Sequence, residues 1–95
     1  MAKFITRIEL HGVGHDDAAY QTLHEAMEKA GFKRTIVSDD NKNWHLLTAE
    51  YLAIGDFTLQ AVLDAAKSAA ETTNKKYSVF VAQYTGAMWY DLKPV

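Results

Sequence analysis

The sequence predicts an α+β sandwich, with two helices covering one face of a four-stranded antiparallel sheet. Three observations carry this. Segments of period-two apolar alternation and segments with a helical apolar stripe follow one another as strand, helix, strand, strand, helix, strand. Glycines and polar turn formers stand at the joints between them. The whole pattern occupies 95 residues, one domain near the small end of what folds on its own core. The order βαββαβ is that of a ferredoxin-like sandwich. That scaffold serves many unrelated chemistries, so function has to be argued from residues.

Phe4 to His11 alternates, with Phe4, Thr6, Ile8 and Leu10 on one face and Ile5, Arg7, Glu9 and His11 on the other. Gly12 and Gly14 end this strand. Asp16 and Asp17 are N-cap candidates, because a short carboxylate accepts a free backbone N–H and meets the positive helix end. Tyr20, Leu23, Met27 and Ala30 give the first helix its apolar stripe, and Gly31 is placed to stop it. Phe32 to Ser38 reads as the second strand and Ser38 to Asn43 as a hairpin loop.

Trp44 to Leu52 or Ala53 reads as one continuous third strand with apolar residues in both rows. Such a strand predicts that the sheet face away from the helices is covered, a second subunit being one candidate cover. Asp56 or Thr58 caps the second helix, whose stripe runs through Leu59, Val62, Leu63, Ala66, Ala69 and Ala70. Tyr77 to Tyr84 is the fourth strand, rich in Val, Phe and Tyr. Met88, Trp89, Tyr90 and Leu92 make the last segment too apolar for a loose tail, and predict a short extra strand or a docked arm. The expected core draws on Phe4, Ile8 and Leu10, Leu23 and Met27, Leu59, Val62 and Leu63, Val79 and Val81.

Ten Lys and Arg stand against 12 Asp and Glu, a net charge of -2, so bulk electrostatics attract neither nucleic acid nor an anionic membrane. A basic patch has to be built against that average. The absence of cysteine excludes disulfides, thiol catalysis and cysteine-ligated zinc. No apolar run approaches the roughly 18 residues needed to span a bilayer. No signal-type stretch precedes the first strand. A cytoplasmic protein without membrane contact is expected.

His24 borders the first helix's apolar stripe. It is a candidate general acid or base with a pKa set by partial burial; the plainer alternative is a flank residue with one nitrogen bonded locally. Arg7 shares a row with Glu9 and His11, where it can hold a phosphate or pair with a neighbouring strand. Lys33, Arg34 and Trp44 are candidate RNA contacts, two cations for phosphate and an indole to stack on an unpaired base. Aromatic residues of this kind serve subunit contacts as well. His11 and His15 flank a glycine loop but have no ligand spacing, and no H-E-x-x-H, EF-hand, P-loop or dinucleotide fingerprint occurs. No metal site and no cofactor are expected.

Leu23-His24 with Met27 and Phe32, followed by a strand, a polar hairpin loop and a further strand, resembles the GhoS-like family of bacterial antitoxins. That family belongs to type V toxin–antitoxin pairs and is itself similar to small CRISPR-associated nucleases of ferredoxin-like fold. By element order the resemblance spans residues 3 to 84. It implies a metal-independent endoribonuclease or RNA-binding regulator acting on a toxin's message. The family's activity-linked arginine falls on His24, which cannot make a guanidinium's forked phosphate contact. Two function classes therefore stand side by side. One is a ribonuclease on single-stranded RNA, with His24 in proton transfer and Arg7, Lys33 or Arg34 as the cation. The other is a non-catalytic, homodimeric interaction module. Whether cations converge on a histidine in space separates them.

Overall fold

The alternation in the first strand decides the layout. Strand β1 (Ala2–Leu10) buries Phe4, Thr6, Ile8 and Leu10 and exposes Lys3, Arg7 and Glu9, so its even-numbered residues face the core. In the computed structural model, which describes residues 1–95, β1 is followed by α1 (Ala18–Lys29), β2 (Thr35–Val37) and β3 (Asn43–His45). Then come β4 (Glu50–Gly55), α2 (Leu59–Glu71) and β5 (Tyr77–Tyr84). β1 pairs antiparallel with β4 on one side and β5 on the other, while β2 and β3 form a separate antiparallel hairpin. The architecture is α+β. No helix is long and apolar enough to cross a membrane.

Both helices pack on the even-numbered face of β1. Tyr20, Leu23 and Met27 of α1 and Val62, Ala66, Ala69 and Ala70 of α2 join Phe4, Ile8, Leu10 and Tyr51 in one core. The alanines let α2 approach closely. The caps are those the sequence implies: Asp17 accepts the Ala19 N–H at 2.8 Å and Thr58 accepts the Ala61 N–H at 3.0 Å. Gly31 ends α1 in the left-handed region, at φ 97°. Leu59 is a correction: it is 48% exposed, because it is the first residue of α2 and lies a turn ahead of the part of the stripe that reaches the sheet. Leu63, Val79 and Val81 are half-buried at the core's edge.

The expected third strand is broken. Leu47 to Glu50 forms a turn closed by the Glu50 N–H on the Leu47 carbonyl at 3.1 Å, with Ala49 left-handed at φ 61°. Nothing in Leu46-Leu47-Thr48-Ala49 announces this, since an alanine in that conformation costs about 1–2 kcal/mol and carries no turn signature. The break separates β3 from β4 and replaces the single four-stranded sheet with a three-stranded sheet and a hairpin. Lys33 still bridges to Leu52 through two bonds of 2.8 and 2.7 Å, before the chain crosses to the hairpin.

The phase of β4 is now clear. Tyr51 and Ala53 join the core under the helices, while Leu52, opposite Ile5, is buried on the other face. Part of that second face is covered by the chain itself. The C-terminal arm docks on β3, with the His45 N–H on the Lys93 carbonyl at 2.9 Å and the Val95 N–H on the Asn43 carbonyl at 3.1 Å. Hairpin and arm enclose an apolar cleft walled by Ile5, Ile36, Leu46, Tyr84, Trp89 and Leu92. The two-sided apolar pattern of the third segment thus has an intramolecular cause.

Candidate functional site

His24 follows Leu23 on α1, which places it beside the buried stripe, half-buried and turned toward β4. There its Nδ1 meets the Tyr51 hydroxyl at 2.7 Å. Tyr51 sits opposite Thr6 on the helix side of the sheet and is fully buried. Tyr20, one turn before His24, spends its own hydroxyl on the Leu10 N–H at 2.9 Å. The rings meet at a tilt: His24 lies 5.8 Å from Tyr51 at 52° and 6.4 Å from Tyr20 at 42°.

Arg34 stands where the chain passes from the Lys33–Leu52 bridge to the hairpin, its carbonyl held by the Leu46 N–H at 2.8 Å. Burial first, and the nearby Arg34 guanidinium second, hold the His24 pKa below its ordinary value. Burial pushes the Tyr51 phenol well above its usual range, with Arg34 opposing. Near neutral pH the pair is therefore an uncharged imidazole and a protonated phenol beside a permanent cation.

A groove opens between the end of α1 and the hairpin, lined by Glu28, Lys33, Arg34, Thr35, His45 and Leu46. Glu28 is one turn beyond His24 and is the only carboxylate there. The His45 ring is exposed and has no side-chain partner. The single ion pair of the molecule joins Lys42 to Asp40, so Lys33 and Arg34 are free to meet an anion.

The candidates drawn from the sequence fall into separate places. Arg34 comes near His24, and Lys33 lines the groove with Arg34. Lys33 bridges to Leu52, however, and so shares the face away from the helices rather than that of His24. Arg7 does not meet His24: it is exposed on the face away from the helices, opposite Glu50 and Phe80, with the sheet between it and His24. It makes no ion pair with Glu50. Trp44 is half-buried, opposite Pro94, its Nε1–H donating to Ser38 Oγ at 3.1 Å. It walls another cleft, with Lys3, Tyr84 and Trp89. His11 and His15 line one open cleft but are engaged separately, His11 Nε2 with Ser78 Oγ at 2.8 Å and His15 edge-on to Tyr20.

Two members of the site escaped the sequence. Tyr51 is 27 residues from His24, and its face could not be assigned while the third strand read as continuous. His45 reads as one more strand residue until the hairpin brings it beside Arg34. Comparison with protein-family models, with curated proteins and with solved structures finds no match.

The lowered His24 pKa makes an acid-stability prediction. Below the ordinary value of 6.5, the unfolded chain protonates His24 while the folded chain resists. The stabilisation is therefore complete above that pH and is lost as pH falls through it. Thermal midpoints recorded from neutral to mildly acidic pH should fall less steeply for His24→Gln than for the native chain. Equal slopes would remove His24 as the cause.

Proposed function

We propose that this chain is a ferredoxin-like antitoxin protein of the GhoS type, which binds single-stranded RNA in the groove that Arg34 lines and cuts it without a metal ion. The observation that carries this is the Arg34 guanidinium, which lies outside every ion pair, near enough to His24 to lower its pKa, and in one groove with the exposed His45. Phosphodiester cleavage needs a proton acceptor and a positive charge at one place. The fold reading draws support from the order Lys33 segment, β4, β1, β5 with both helices on one face, a four-strand arrangement whose second strand is reduced to a bridge.

In this reading an RNA phosphate lies against Arg34 and Lys33. An imidazole takes the ribose 2′-hydroxyl proton, the 2′-oxygen bonds to phosphorus, and the bond to the 5′-oxygen breaks. That oxygen takes a proton from water in the open groove. The products are a 2′,3′-cyclic phosphate and a 5′-hydroxyl, and the setting is the bacterial cytoplasm, where messages are. A panel of single-stranded RNAs with EDTA present tests it: fragments ending in cyclic phosphate are expected, and cleavage should weaken with added salt as counterion release is lost. No cut in any of them, including the transcript of a neighbouring toxin gene, would sink the catalytic reading.

A non-catalytic homodimeric module is the second reading, favoured by what the arm leaves uncovered. Phe80 and Ile54 are 66% and 46% exposed on the face away from the helices. β5 beside them is an eight-residue edge strand without charge or proline, a pairing template that single chains usually blunt. A second copy covers this edge in either reading. Light scattering at tens of micromolar should give twice the chain mass, and a monomer mass would defeat the dimer.

A further inference from the structure

We propose that Tyr51 holds His24 in its Nε2–H form, so that His24 donates a hydrogen bond to phosphate and proton acceptance falls to His45. The proposal rests on the RNA reading above. Its ground is the hydrogen-bond account of one buried hydroxyl. Tyr51 is 0% exposed, and the only polar group within reach of its hydroxyl is His24 Nδ1, at 2.7 Å. Were Nδ1 to carry a proton and donate it, the phenol's own proton would be left without an acceptor in the core. A buried donor left unpaired loses its hydration with nothing in return. The hydroxyl therefore donates, Nδ1 accepts, and the neutral ring keeps its one proton on Nε2.

Two consequences follow for chemistry. Neither nitrogen of His24 is open to the 2′-hydroxyl proton, since Nδ1 is engaged and Nε2 is already protonated. Charging the ring would set a second N–H against the phenol's O–H, which adds to the effects of burial and of Arg34. The titratable and charged groups around the ring are Tyr20 and Glu28 on its own helix, Tyr51 on β4 and Arg34 at the entry to β2. Of these, Tyr51 alone bonds it. Nε2–H has no protein partner, and with the Arg34 guanidinium it makes two donors suited to an acceptor-only phosphate. His45, exposed and without a side-chain partner in the groove that Arg34 lines, keeps a lone pair available.

The decisive measurement uses the ¹⁵N-labelled full chain without RNA, in long-range ¹H–¹⁵N spectra at about pH 7.5. His24 should show an acceptor-type Nδ1 and a protonated Nε2, and titration with inorganic phosphate should shift the Nε2–H resonance. A protonated Nδ1, or an Nε2–H blind to phosphate, overturns the proposal. Tyr51→Phe, checked as folded by its amide spectrum, should release the ring into a mixture of both forms. An unchanged native pattern would show that Tyr51 is not the lock.

Cleavage supplies the second arm. His24→Gln, whose amide N–H can replace Nε2–H, should stay within about 10-fold of native, whereas His45→Ala should lose about 10²–10⁴-fold. If His24→Gln is as inactive as His24→Ala, the ring is the base and the proposal fails. If no RNA is cut by the native chain, the ribonuclease reading fails by itself, and the spectra still decide the Tyr51 lock.

Discussion

If the proposed cleavage holds, alanine at Arg34 should lower it by about 10²–10³-fold with the fold intact, and alanine at His24 should do the same. This is the usual loss when one donor aimed at developing charge is removed. Arg34 is exposed and outside every ion pair, so its side chain holds nothing together that the substitution would release. His24 is half-buried, and its loss leaves the Tyr51 hydroxyl unpaired, a cost of about 1–3 kcal/mol that a folded domain of this size survives. Arg7→Ala supplies the contrast. Because the sheet separates Arg7 from His24, that variant should cleave at the native rate. Equal losses for Arg7 and Arg34 would move the site to the other face.

Removing the Phe4 ring should cost about 3–5 kcal/mol of stability, the range for emptying a buried aromatic site. Phe4 is 0% exposed on the central strand, between β4 and β5 and under both helices, so no neighbour can close the gap without moving a whole element. Against a total stability of about 5–15 kcal/mol, this brings the chain near its unfolding threshold. Tyr90→Ala is the control: with Tyr90 94% exposed, the change should stay within about 0.5 kcal/mol. Chemical denaturation of both variants reads the difference. A small loss at Phe4 would mean that the core does not lie where the alternation of β1 puts it.

The convergence at Arg34 also bears on the net charge of -2, which argues against nucleic-acid binding on average. Of the 12 carboxylates the groove contains one, Glu28, against the free Lys33 and Arg34. A local field of the right sign can exist on an acidic chain when the acids sit elsewhere, as Asp39 and Asp40 do in the hairpin loop.

The sequence by itself determined the helices, their caps, the two outer strands of the pattern and the single core, because those depend on local chemistry. Asp17 and Thr58 accept backbone N–H groups two and three residues away, Gly31 supplies its own left-handed turn, and β1 shows its buried face by simple alternation. His24 was legible for the same reason, as a titratable ring on the border of a helical stripe. Only the tertiary structure decided what lies against it. The left-handed turn at Ala49 is held by contacts from outside the segment, among them the Ile8 N–H on the Ala49 carbonyl at 3.1 Å, and no local signal marks it. That turn splits the third strand, sends Tyr51 under α1 to His24, and frees the hairpin that carries His45 to Arg34. Arg7 and Arg34 look alike in the chain. Which of them meets the histidine depends on the face of the sheet each one occupies, and strand pairing over tens of residues sets that.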